Sequence, residues 1–273
     1  MKIWAVANQK GGVGKTTTAA TLAGLLAGEG RRVLLVDLDP HGSLTSYFRF
    51  DPDSIDSSVY TLFKDRADRR PRNQYRDLLR ATDYENLTLL PAATALATLD
   101  RQLGAQDGMG LVLKQTLADL QPHYDHVFVD CPPMLGVLMV NALAACDRLL
   151  IPVQCEFLAL KGLERMLHTL QMISRARGGE VPRLIVPTMY DRRTRAAGEA
   201  LQVLIERYGA EVWSEVIPVD TQFREASKLG RPLSLWQPRA RGAQAYASLL
   251  DRLLERAPAG SEAPELLKGQ ATA

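Results

Sequence analysis

Apolar residues along this chain gather into short unbroken runs, and between the runs they recur every third or fourth position. The first run, Lys2 to Ala7, leads into a glycine-rich loop. Lys15 to Ala27 then places Leu22, Leu25 and Leu26 on one helical face before Gly28 and Gly30. VLLVDLD (Val33 to Asp39) is hydrophobic on nearly every residue up to its acids, as a strand covered on both faces requires. Strand-like runs return at Asn86–Ala92, His126–Pro133, Arg148–Gln154, Arg183–Tyr190 and Glu211–Pro218. Helical periodicity fills Leu111–Leu120, Leu158–Ile173, Ala196–Tyr208 and Arg241–Glu255, while the polar, arginine-rich Asp51–Tyr84 predicts short helices and loops. Alternation of this kind predicts an α/β fold, a mostly parallel doubly wound sheet flanked by helices, with ligands bound at the carboxyl edge of the strands. No internal repeat or second domain is visible, so one domain is expected over 1–256. The Pro, Ala and Gly content of 257–273 predicts a disordered tail.

Composition changes this picture little. A formal net charge of +2 carries no bulk signal for nucleic acid, so any basic patch must be local. The 3 cysteines, Cys131, Cys146 and Cys155, form no C-x-x-C pair, which argues against a disulfide framework and against a zinc or iron–sulfur site. His41, His123, His126 and His168 lack metal-ligand spacing. MKIWAVAN passes straight into the glycine loop and leaves no room for a signal peptide. Leu135–Val153 is interrupted by Asn141, Asp147 and Arg148, so it predicts a helix and a buried strand, not a membrane span.

The chemistry concentrates in NQKGGVGKTTT, Asn8 to Thr18. It approaches the phosphate loop G-x-x-x-x-G-K-[ST], with Gln9 where the first glycine belongs and an additional lysine, Lys10, beside it. Gly11, Gly12 and Gly14 let backbone N–H groups converge on phosphates, helped by the positive end of the following helix. Val13 and Thr17 lie in the same cradle, Lys15 would reach the terminal phosphates, and the Thr16 hydroxyl would sit on Mg²⁺. An ordinary glycine turn is the plain alternative, but a strand before it and Gly-Lys-Thr within it favour phosphate. Magnesium also needs carboxylates. Asp37 and Asp39 close one predicted strand and Asp130 closes another, HVFVD. Each could merely cap a strand; three at one predicted edge point to a metal and water site.

KGGVGKTTT resembles the deviant Walker A motif of the ParA/MinD family of dimeric P-loop ATPases, and LLVDLDPHGSLT and HVFVDCPP are similar to that family's second motif and Walker B strand. The likeness continues through IPVQCEFLALKGL, PTMYDRRT and PRARGAQAY, about residues 1 to 255. It implies ATP and Mg²⁺ as ligands and a homodimer closed by ATP, in which Lys10 crosses to the phosphates of the other subunit. Lys10, Lys15 and Asp39 would then be catalytic, with Asp39 orienting the attacking water. Asp130 would hold the metal through water and Asp37 would support the metal shell. Pro218 and Asp220 resemble the region around the adenine base, which favours ATP over GTP.

The family resemblance further implies slow hydrolysis and non-specific DNA binding by the joint surface of the dimer. Between Lys161 and Arg241, 14 Lys and Arg stand against 9 Asp and Glu. Arg192, Arg193 and Arg195 cluster after one strand, and Arg224, Lys228 and Arg231 follow the last at near-helical spacing. A solvated face neutralised by acids such as Asp191 and Glu225 is the alternative. The chain starts directly on a strand, so no helix-turn-helix is expected before it, and ELLKGQATA is too short and too weakly apolar to hold a membrane. Segments such as PPMLGVLMVNALAA and EFLALKGLERM resemble the ParC-type subgroup, which is associated with polar chemotaxis arrays and a ParP-like adaptor. Partition of a chromosome or plasmid with a ParB-like partner is the alternative. A metabolic enzyme on the same fold and a nucleotide-binding scaffold are more remote. The expected location is cytoplasmic, on the nucleoid or at a cell pole.

Overall fold

The computed structural model describes residues 1–72, 74–99, 108–177 and 179–256. The expected tail, 257–273, lies outside the described residues. β1 (Lys2–Val6) leads through the glycine loop into α1 (Lys15–Gly28), and β2 (Val33–Asp37) follows. Next come α2 (Ser43–Tyr47), α3 (Val59–Ala67), β3 (Arg80–Ala81) and β4 (Leu87–Leu90). Alternation continues with α4 (Val112–Leu120), β5 (His126–Asp130), α5 (Val137–Ala145), β6 (Arg148–Gln154), α6 (Phe157–Arg177) and β7 (Arg183–Thr188). Last come α7 (Arg195–Tyr208), α8 (Gln222–Leu229), α9 (Leu233–Trp236) and α10 (Arg241–Leu254). Among the described residues no helix is long and apolar enough to cross a membrane.

The strands make one 7-stranded sheet in the order β3-β4-β2-β5-β1-β6-β7. All pairings are parallel except β3 with β4, so the doubly wound parallel sheet expected from the alternation is present. Side chains alternate across it. Trp4, Val6, Val33, Leu35 and Phe128 enter a core on one face with α1 and α10, whereas Ala5, Leu34, Val36, Val127 and Val129 enter a second core with α4, α5 and α6. Two covered faces bury every residue of β2, which is why VLLVD shows no period of two. Each such Leu or Val contributes about 1.5–3 kcal/mol by leaving water.

Two expectations need correction. Within Asp51–Tyr84 the chain forms not only helices and loops but also the short edge strand β3, antiparallel to β4. Glu211–Pro218, expected as the last strand, does not join the sheet: Val212 and Pro218 make only isolated bridges, to Ile185 and Tyr190. The Trp213 N–H donates to the Ile185 carbonyl at 2.9 Å. The next residue of β7 facing that side is Pro187, which has no N–H to return, and the chain bends at Ser214 and Glu215. The segment still reads as a strand because Trp213 and Ile217 are buried against the sheet edge.

Sheet register prepares the site. Asp37 lies opposite Asp130 across the β2–β5 pair, and Val6 lies opposite Asp130 on its other side. The glycine loop therefore leaves β1 beside two acids carried by other strands.

Candidate functional site

The loop between β1 and α1 is held open for a ligand. Gly12 and Gly14 adopt φ of 74° and 94°, a region costly for other residues, and a Cβ added at Gly11, Gly12 or Gly14 would meet nothing within 4 Å. Among the described residues no side chain caps α1, which leaves its first N–H groups free for an anion. The rest of the loop is tied down. Asn8 Nδ2 donates to the Pro152 carbonyl at 2.7 Å, Asn8 Oδ1 accepts the Lys10 N–H at 2.9 Å, and the Thr188 hydroxyl donates to the Val13 carbonyl at 2.9 Å.

Lys15 and Lys10 take different positions. Lys15 is buried at the start of α1, 8% exposed. Lys10 is partly exposed and its ammonium bonds to Glu156, just beyond β6, and to Gln154 Oε1 at 3.3 Å.

The acids meet as the strand ends predicted, in distinct roles. Thr16 Oγ1 donates to Asp130 Oδ2 at 2.6 Å, while Asp130 Oδ1, buried, has no hydrogen-bond partner among the described residues. Asp37 is fully engaged by the protein: Oδ1 accepts the Asp39 N–H at 3.1 Å, and Oδ2 accepts the Thr45 N–H and hydroxyl at 2.8 and 2.7 Å. That suits a supporting acid. Burial first, and then the Asp37 carboxylate, push Asp130 above the ordinary carboxylate range, and burial also raises Asp37. A nearby cation reverses such a rise. An orphaned carboxylate oxygen beside a threonine hydroxyl therefore fits magnesium that keeps most of its waters. Asp39 Oδ1 accepts the His41 N–H at 3.0 Å and faces His41 Nδ1 at 2.9 Å.

A cavity of about 340 Å³ opens next to the loop, between Val13, Gly14, Thr17, Pro218, Phe223 and Arg224. Pro218 and Asp220, which the resemblance puts near the adenine base, both line this cavity. Asp220 shapes the wall: Oδ1 accepts the Gln222 N–H and Oδ2 the Gly242 N–H, both at 3.0 Å. Phe223 stands edge-on to Tyr246, ring centroids 5.7 Å apart, and the Tyr246 hydroxyl meets the Thr18 hydroxyl at 2.7 Å. Thr45, Gln154, Glu156, Thr188, Phe223 and Tyr246 carry no motif spacing of their own that would mark them in the sequence. A larger groove, about 1000 Å³, includes Arg32, Arg72 and Tyr75 in its wall. Its Arg32 and Arg72 already pair with Asp125, Asp65 and Asp77, and Arg32 precedes β2, at the opposite edge of the sheet from the loop.

The six basic residues singled out for DNA are all exposed. The Tyr190–Pro218 bridge brings the loop bearing Arg192 next to the segment leading to Arg224. Arg193 pairs with Asp191, and its hydrogen bond holds that acid down to about 2; Arg195 pairs with Glu199. Arg224 and Lys228 lie on α8, and Arg231 follows it.

A family model described as an AAA domain matches residues 1–181. The chain is 38% identical over 249 residues to the sporulation initiation inhibitor protein Soj of Bacillus subtilis, covering 91% of this chain and 96% of that protein. It is 35% identical to the chromosome partitioning protein ParA of Myxococcus xanthus, covering 93% and 88%. A crystal structure named cobyrinic acid a,c-diamide synthase from Mycobacterium smegmatis, with bound ADP and magnesium, superposes with a TM-score of 0.78 at 36% identity, covering 93% of this chain and 94% of that one. The McdA–ATP complex of Cyanothece shares the fold, with a TM-score of 0.81 at 22% identity over 94% and 97% of the two chains.

Proposed function

The chain belongs to the ParA/MinD family of P-loop ATPases, and from that premise we propose that it is an ATP-driven dimerising switch that positions or partitions a cellular cargo. The carrying observation is the separation of its two loop lysines. Lys15 is buried where it can serve its own loop, whereas Lys10 stands at the rim, 29% exposed and bonded through its ammonium to Gln154 and Glu156. An ammonium at that rim is available to a second copy, where it would neutralise charge developing on the leaving phosphate. The loop after β5 and the start of α6, which follows β6, add Met134, Phe157 and Leu158 at 72%, 69% and 69% exposed. Apolar side chains displayed so openly favour a surface that a partner covers.

Within each subunit the glycine loop and Lys15 bind the triphosphate, Pro218 and Phe223 border the base, and Asp39 orients the attacking water. Thr16 and Asp130 would hold Mg²⁺, which when bound stabilises negative charge on the phosphates. Closing the dimer joins two copies of the basic surface around Arg192 and Arg224, and paired weak phosphate contacts tighten non-specific DNA binding. Hydrolysis resets the switch.

Two cargoes are supported. The ParC-like segments favour polar chemotaxis arrays with a ParP-like adaptor; the name of the Myxococcus xanthus ParA relative favours chromosome partition, with a ParB-like partner. Deleting the gene separates them, by misplacing chemoreceptor clusters in one case and replication origins in the other. An electron-transfer enzyme on the same fold is less well supported: an iron–sulfur cluster shared between subunits needs surface thiols, and Cys131, Cys146 and Cys155 are all buried. The deciding measurement is sedimentation of the full chain with Mg²⁺ and a non-hydrolysable ATP analogue. A wild-type dimer under these conditions, together with loss of ATP turnover in Lys10→Ala measured separately with Mg-ATP, supports the switch; a monomer under all conditions overturns it.

A further inference from the structure

The loop after β2 holds a side chain that the mechanism above leaves unused. His41 is 80% exposed at its side chain, yet its Nδ1 lies 2.9 Å from Oδ1 of Asp39, which is only 11% exposed. The same oxygen also receives the backbone N–H of residue 41 at 3.0 Å. An ionised carboxylate can only accept, so in a hydrogen bond between these two atoms Nδ1 is the donor. No protein group among the described residues bonds to Asp39 Oδ2.

We infer that His41 is a positioning residue for Asp39, turning Oδ1 inward on the loop and leaving Oδ2 to the attacking water. The inference rests on the assignment of Asp39 as the acid that orients that water. The terminal torsion of an aspartate is broad, and one backbone donor restrains it poorly. A second donor on the same oxygen narrows the rotation and fixes where the free oxygen points. Water attack needs that direction held closely, because small misplacements in a reacting geometry are costly. The backbone bond is available to any residue at position 41; the ring bond is not.

The test uses the full chain with Mg-ATP and compares His41→Ala, His41→Asn and Asp39→Ala. Asparagine carries an N–H donor at the same distance from Cβ as Nδ1, whereas alanine carries none. His41→Ala lowers kcat by roughly tenfold, at the low end for loss of a partner that orients a functional group, with ATP affinity and Tm unchanged. His41→Asn restores most of the loss. Equal turnover in His41→Ala and wild type, no recovery in His41→Asn, or a loss that follows ATP affinity or Tm would each overturn the inference. Wild-type turnover in Asp39→Ala would overturn the Asp39 assignment and this inference with it. Sensitivity to Asp39→Ala without sensitivity to His41→Ala would overturn the inference alone.

Discussion

The ammonium of Lys10 is joined to the carboxylate of Glu156, 146 residues further along the chain. Both side chains are partly exposed, 29% and 38%, so the pair holds the lysine with no more than about 1 kcal/mol. On the proposed mechanism, a polyphosphate offered by a second subunit would outcompete such a contact. Glu156→Gln should therefore shift the dimerisation midpoint with a non-hydrolysable ATP analogue toward lower protein concentration, by at most about fivefold. Sedimentation equilibrium measures this, and an unchanged or weaker midpoint would deny Glu156 its restraining part.

Lys15 and Asp39 should fail in different ways. Removing the buried Lys15 ammonium with Lys15→Ala abolishes ATP binding in calorimetry. Asp39→Ala keeps the phosphate cradle, binds ATP and accumulates as dimer because turnover stops. A monomeric Asp39→Ala with ATP bound would contradict the proposed role.

Thr16 supplies the only protein hydrogen bond to the Asp130 carboxylate among the described residues. Thr16→Val leaves that buried acid without a donor, a cost of about 1–3 kcal/mol visible in chemical unfolding. Magnesium should then cease to strengthen nucleotide binding. Retention of the magnesium effect would place the metal elsewhere.

Gly242 lies where a Cβ would come within 2.4 Å of the Phe223 ring. Gly242→Ala must displace that ring from the cavity wall, with an overpacking cost of about 1–3 kcal/mol. Affinity for ATP should fall while affinity for inorganic tripolyphosphate, which has no base, stays the same. Equal losses for both would remove Phe223 from the base site.

Arg192 and Arg193 are neighbours with unequal prospects. Asp191 already neutralises Arg193, whereas among the described residues no ion pair engages Arg192. Arg192→Glu should weaken DNA retention at low salt more than Arg193→Glu does, and combining it with Arg224→Glu should reduce the salt dependence further. Retention unchanged in the double variant would take DNA off the proposed surface.

Patterns within single segments were sufficient to read the parallel strands, the main helices and the phosphate loop, because strand burial and helix amphipathy are written in local periodicity. Val33–Asp37 is an instance, since a strand covered on both faces must be apolar throughout. Local pattern misled at Glu211–Pro218, where Trp213 and Ile217 are buried as in a strand but Pro187 opposite withholds a ladder donor. Register joined Asp37 to Asp130, and only folding divided their roles, giving Asp37 three protein donors and leaving Asp130 an open oxygen. The contacts of Lys10 with Glu156, of Asp220 with Gly242 and of Tyr246 with Thr18 likewise come from the tertiary structure. Each joins residues distant along the chain through single side-chain atoms, and no periodicity in a sequence records which distant atoms will meet.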